Sequence, residues 1–168
     1  MYIFDSNAFI AASRQHYGFD IAPGFWSWVC DGKLSGAASS SKWVKGEIDA
    51  GNRPLDEDLL KQWASVVRPD FWLDDSVGVA SAMGELTAWV TDPSRIYSQQ
   101  AQSDFLESVD YRIIAQAKAE SAILVTSEVS AKDSVRRVKI PDAAEAIGVS
   151  CIDPFSAYRA LGLKLLAA

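Results

Sequence analysis

Apolar residues fill positions 2–4, Tyr-Ile-Phe, and stop at an acid, Asp5. A short run of that kind predicts a strand buried on both faces, as in a parallel sheet. A loop entering a helix is expected over 6–15. Pro23 suits a first helical turn, and Phe25, Trp26, Trp28, Val29 and Leu34 form a broad apolar face, so a helix is expected over 23–34. The stretch Ser-Gly-Ala-Ala-Ser-Ser-Ser, 35–41, reads as a loop or a weak strand offering several N-caps. A helix follows over 41–50 and stops at Gly51. Further helices are expected over 56–66 and 74–91, the second with Val77, Ala80, Met83, Leu86 and Val90 on one side. Residues 101–120 are helical with a break near 108–110, where Ser108 and Asp110 compete as a new N-cap. Ala-Ile-Leu-Val-Thr, 122–126, is the clearest strand in the chain. Residues 135–140 suggest another strand, 142–147 a short helix, 149–152 a strand and 153–163 a final helix.

Strands alternating with helices, with apolar runs in place of strict alternation, predict an α/β fold with a mainly parallel sheet. The 168 residues, half of them apolar, suit one domain spanning 1–168. No stretch of 18 uncharged apolar residues occurs, so no membrane span is expected. The first residues carry an acid and no basic cluster, unlike a secretory leader. Cys30 and Cys151 are too few for a disulfide framework or a four-cysteine zinc site, which points to a reducing, cytoplasmic setting.

One histidine, His16, excludes paired-histidine catalysis and multi-histidine metal sites. The glycines form neither a dinucleotide fingerprint nor a P-loop, and no G-x-S-x-G elbow occurs. Carboxylates are abundant: 22 Asp and Glu against 16 Lys and Arg, for a net charge of -6. That excess speaks against nucleic acid as a partner, because its binders must neutralise phosphates. It speaks less strongly if acids are gathered around cations.

Their positions suggest such a gathering. Ligands of open α/β sheets bind beyond the carboxyl ends of the strands. Asp5 ends the first strand, Glu128 follows the clearest one, Asp110 stands at a helix start, and Glu47 lies in the helix after the Ser-rich stretch. Two carboxylates 4 Å apart repel by about 4 kcal/mol at an effective dielectric of 20, so four would not stay together without cations. Mg²⁺ and Mn²⁺ prefer oxygen ligands, and paired ions can serve phosphodiester hydrolysis without any histidine base. Each acid also has a structural alternative: Asp5 and Asp110 as helix caps, Glu47 and Glu128 as solvated residues.

The opening Tyr-Ile-Phe-Asp-Ser-Asn resembles the first motif of PIN-domain nucleases. The block from Asp110, Asp-Tyr-Arg-Ile-Ile-Ala-Gln-Ala-Lys-Ala, through Ile-Leu-Val-Thr-Ser-Glu to Glu128 resembles their second half. The gaps of 42 residues from Asp5 to Glu47 and 18 from Asp110 to Glu128 are similar too. The tail, Val-Lys-Ile-Pro at 138–141 and Gly-Val-Ser-Cys-Ile at 148–152, is similar to the PIN-like subgroup DUF4411. The resemblance implies a PIN-like α/β/α sandwich with a central mainly parallel sheet. It implies a Mg²⁺- or Mn²⁺-dependent endoribonuclease, commonly the toxin of a bacterial toxin–antitoxin pair, with a cognate antitoxin protein and a homodimer expected. Asp5, Glu47 and Asp110 match the core acids, while Glu128 stands where many members carry Asp. Asn7 and Thr126 match polar positions near the metals.

Residues 132–139 carry four cations against one acid, the most basic patch in the chain. Arg136, Arg137 and Lys139 are candidate RNA contacts, or else charges protecting an edge strand. Arg14 and Arg112, near Asp5 and Asp110 in sequence, are further candidates. The six tryptophans sit mostly at helix-core spacing and are expected in packing rather than base stacking. The rival from another class is a non-catalytic Rossmann-like binding domain whose acids are structural. A dehalogenase-type phosphoacceptor is disfavoured, because the position two after Asp5 is Asn7.

Overall fold

The computed structural model describes residues 1–165. Five short strands form one parallel sheet: β1 (Tyr2–Phe4), β2 (Ala38–Ser41), β3 (Trp72–Leu73), β4 (Ile123–Val125) and β5 (Cys151–Ile152). Their order is β3-β2-β1-β4-β5, so β1 is central and β2 and β4 flank it. All neighbouring strands run parallel, with Tyr2 opposite both Ala38 and Ile123. The helices between them are α1 (Ser6–Ala11), α2 (Pro23–Cys30), α3 (Lys42–Asp49), α4 (Leu59–Val66), α5 (Val77–Val90), α6 (Gln99–Glu107), α7 (Val109–Ala119), α8 (Ile140–Ala146) and α9 (Pro154–Ala160). The expected α/β class with a parallel sheet is what forms. Among the described residues no helix is long and apolar enough to cross a membrane.

The Ser-rich stretch takes the second of its two expected forms, a strand, and supplies β2, next to the centre of the sheet, with all four residues buried. Small side chains pack closely there, and the Ser40 hydroxyl donates to the Phe4 carbonyl at 2.6 Å, which satisfies it inside the core. β3 was not anticipated, because two residues carry no periodicity. No strand forms over 135–140: Val135 to Lys139 is irregular, and α8 begins at Ile140. The edge-strand explanation for Arg136 and Lys139 therefore lapses. The helix expected over 74–91 starts at Val77, and its buried stripe is Val79, Ala82, Leu86 and Val90. Val77 and Ala80 face outward instead. The helix expected over 23–34 ends at Cys30, and a separate 3-10 turn spans Gly32–Leu34. The helix expected from 56 starts at Leu59, where Asp58 accepts from the Leu60 and Lys61 amides. Helix α1 opens directly at Ser6, with no loop between it and β1.

The core lies on both sides of the sheet. On one side an aromatic cluster joins Phe9, Trp63, Phe71 and Trp72, with Phe9 and Trp63 centroids 5.0 Å apart. On another, α5 packs along α7. Gly78 permits the approach, since a Cβ there would stand 3.2 Å from that of Ala119. The Tyr111 hydroxyl donates to the Met83 carbonyl at 2.8 Å and lies 2.7 Å from Thr87 Oγ1. Trp26, Trp63 and Trp72 are buried, as expected for packing residues, whereas Trp43 is 40% exposed.

Ser108 ends α6 and caps α7, its hydroxyl accepting from the Tyr111 amide at 3.2 Å. Asp110 lies one step inside the helix and is not the cap. Ser108→Ala should cost about 1 kcal/mol in urea unfolding. An unchanged transition midpoint would contradict the capping assignment.

Candidate functional site

Asp5 follows the last residue of the central strand and opens α1. Its Oδ1 accepts from the Ala8 amide at 2.8 Å, so the structural expectation, a helix cap, holds. Its Oδ2 accepts from the Thr126 hydroxyl at 2.7 Å, which ties the ends of β1 and β4 together. Thr126 Oγ1 also accepts from the Glu128 amide at 3.1 Å. Asp5 is 2% exposed, and burial pushes its pKa up to about 6. The two hydrogen bonds pull the other way, while the charges of Asp110 and Glu128 add to the rise.

Asp110, in the first turn of α7, is also pushed up to about 6, first by burial and then by the charges of Glu128 and Glu47. Arg137 and Lys139 partly offset this. The acids thus influence one another as a chain: Asp5 with Asp110 and Glu128, Asp110 with Glu128 and Glu47. Glu47 lies on α3, which Ser41 caps at the carboxyl end of β2 by accepting from the Val44 amide at 3.2 Å. Three strand ends and two helix starts therefore bring the four predicted acids toward one rim of the sheet.

The rim is not a ready-made ion cage. Among the described residues, no three His, Cys, Asp or Glu side chains form a group that could hold a metal ion. Glu128 is engaged elsewhere: its Oε1 accepts from Arg137 at 3.0 Å and Lys139 at 3.1 Å, and its Oε2 from the Ile140 amide at 3.0 Å. Asn7 is exposed in the first turn of α1, whereas Thr126 is buried against Asp5.

The candidate cations divide. Arg136 and Arg137 line, with Asp110, Phe105 and Ser108, a cleft of about 260 Å³ beside the acids. Arg112 instead stacks its guanidinium 3.7 Å above the Trp43 ring, whose Nε1 donates to Asp75 at 3.0 Å. Arg14 lines a different depression, with Asp20, Arg53 and Asp58. Sequence reasoning missed Asp142, a buried acid whose carboxylate accepts from the Ser130 hydroxyl and, at 2.9 Å, from the Ala131 amide. It also missed the exposed Trp43, which stands four residues before Glu47 and so shares its face of α3.

A family model described as "Domain of unknown function (DUF4411)" matches residues 2–165. No curated protein matches the chain. No solved structure matches it either.

The pKa rises fix a pH dependence. Asp5 and Asp110 titrate higher in the folded chain than when unfolded, so the folded chain binds more protons between about pH 4 and 6. Their contribution lowers stability as pH rises through that window and levels off above it. Asp110→Asn removes one buried charge without touching the Ser108 cap. It should stabilise the cation-free protein at pH 7.5 by roughly 1–2 kcal/mol and do little at pH 4. Denaturant unfolding at both pH values checks this, and a loss of stability at pH 7.5 would give Asp110 a structural role.

Proposed function

We propose, from the premise that this chain belongs to the DUF4411 family, that it is a divalent-cation-dependent endoribonuclease of PIN-like type. The observation that carries this reading is that Asp110 feels the charges of Glu128 and Glu47, and Asp5 those of Asp110 and Glu128, with Asp110 lining a cleft walled by Arg136 and Arg137. Acids supply a site for cations, and arginines a surface for phosphates, which is the pairing an RNA-cutting site requires.

The donor set suits Mg²⁺ or Mn²⁺: it is all oxygen, with no histidine, and the half-buried Cys151 is held as a neutral thiol because burial pushes its pKa up to about 11. Burial and mutual repulsion push Asp5 and Asp110 up, a charge imbalance that a divalent cation would relieve. Asp5, Asp110 and Glu47 would hold the ion by closing up around it, since no three acids form a ready group among the described residues. When bound, it would acidify water and neutralise charge on the phosphodiester. The remaining work falls to the chain itself. The Ala8 amide and the Thr126 hydroxyl fix both oxygens of Asp5, so its carboxylate is oriented before any ligand arrives. Arg136 and Arg137 offer the guanidinium forks that pair with phosphate oxygens. Below about pH 6 protons compete for Asp5 and Asp110, so cation binding weakens as pH falls through that value.

By the same resemblance we place the protein in the cytoplasm as a toxin, with a cognate antitoxin and a second copy of itself as partners. One set of observations favours the non-catalytic alternative: Asp5 does cap α1, and Glu128 is fully occupied. Incubation with single-stranded RNA separates the two. Cleavage should require Mn²⁺ or Mg²⁺, stop in EDTA and be lost in Asp5→Asn. The cation should also raise the Tm, because it binds only the folded site. Cleavage undiminished in chelator would sink the proposal. Neither cleavage nor cation-dependent stabilisation would leave the binding domain standing.

A further inference from the structure

We infer that Glu128 is a positioning residue that clamps the basic strap, residues 129–139, beside the acids, and is not the fourth cation-holding carboxylate. Its consequence for RNA rests on the ribonuclease reading, whereas the clamp itself does not. The Glu128 side chain is 10% exposed, and both its oxygens are taken. Oε1 accepts from the Arg137 guanidinium and the Lys139 ammonium, and Oε2 from the backbone amide of Ile140, the first residue of α8. A cation at Glu128 would have to approach a carboxylate already shared by two positive groups, Arg137 and Lys139, and would be repelled by both. The Glu128 amide is itself bonded to Thr126, so the clamp is anchored directly behind Asp5.

Other bonds hold the rest of the strap. Asp142 accepts from Ser130 and Ala131, and the Ser98 amide donates to the Val135 carbonyl at 2.9 Å. Only Glu128 holds the Arg137 and Lys139 side chains by ion pairs among the described residues. What the clamp presents is the cleft wall. Arg136 is exposed and makes no ion pair among the described residues, and Arg137 remains 61% exposed despite its bond to Glu128. A phosphate backbone entering the cleft at Asp110 meets both.

Side-chain length then becomes decisive. Shortening the side chain by one methylene withdraws both oxygens from whatever they hold. In a metal ligand the loss falls on the cation, whereas in a clamp it falls on Arg137, Lys139 and the Ile140 amide together. Glu128→Asp in the whole chain is therefore the test, read by amide exchange, Mn²⁺ titration and binding of single-stranded RNA in EDTA. Exchange at Ile140 should quicken about tenfold, the factor for losing one ordinary hydrogen bond. The Mn²⁺ dissociation constant should stay within about twofold of wild type. RNA affinity should fall roughly tenfold, with a salt slope flatter by about 0.7 for each phosphate that is no longer neutralised. Glu128→Gln keeps the reach and one acceptor oxygen, so its exchange should fall between the two, and it carries the same readouts if the aspartate variant does not fold. Unchanged exchange with Mn²⁺ binding weakened tenfold or more would overturn the clamp. Wild-type protein that binds no RNA would refute the ribonuclease reading, while exchange at Ile140 would still decide the clamp.

Discussion

Burying a carboxylate at the end of the middle strand is the costly step in this fold. Asp5 has strands on both sides, a helix above it and almost no water. An ionised group taken out of water without partners is penalised by several kcal/mol. The chain offsets this with one helix amide and one hydroxyl, each from an element the sheet already brings there. Those two bonds do not restore an ordinary carboxylate: burial, with the charges of Asp110 and Glu128, still pushes its pKa up to about 6. The rest of the rim follows from that imbalance. Thr126 must be buried to reach Asp5, and the turn after β4 must close on Thr126.

The distribution of positive charge answers the same constraint. The chain is acidic overall, yet its most basic stretch lies against the acids. Arg137 and Lys139 lower the pKa of Asp110 while they bond Glu128, so two cations moderate the repulsion among three acids. Such an arrangement moderates the charge at the rim and leaves Arg136 uncommitted among the described residues. The arginine over Trp43 does something different: it fastens α7 to α3 across the helices that bear Asp110 and Glu47.

The sequence was legible where side-chain pattern alone determines structure. β1 and β4 are apolar runs buried by the sheet, and their positions follow from composition. The break at Ser108 was visible because caps have a chemical signature. β2 was ambiguous because serine disfavours strands until the fold supplies a partner such as the Phe4 carbonyl. β3 was hidden by its length, and the supposed strand at 135–140 was misread because the branched Val135 and the two-residue spacing of Val138 and Ile140 mimic a strand. Val138 and Ile140 are indeed buried, but Val138 lies in irregular backbone and Ile140 opens α8, its amide donating to Glu128. The four acids were legible as a set, since Asp5, Asp110 and Glu128 sit at element ends and Glu47 lies in the helix that follows β2. Glu128's engagement was not, because its partners lie 9 to 12 residues away in an irregular segment.

The seam between α5 and α7 has a mechanical corollary. Gly78 draws the two helices into contact at one end, and Tyr111 pins them with its hydroxyl near the other. Asp110 therefore stands on a stationary post, one residue from the pin. Glu47 stands on a short helix whose outward face is open to solvent. A change in the gap between these acids is then most easily accommodated through the outward side chains of α3, away from its buried Val44 and Ile48. The α7 side acts as the fixed jaw against which that gap is set.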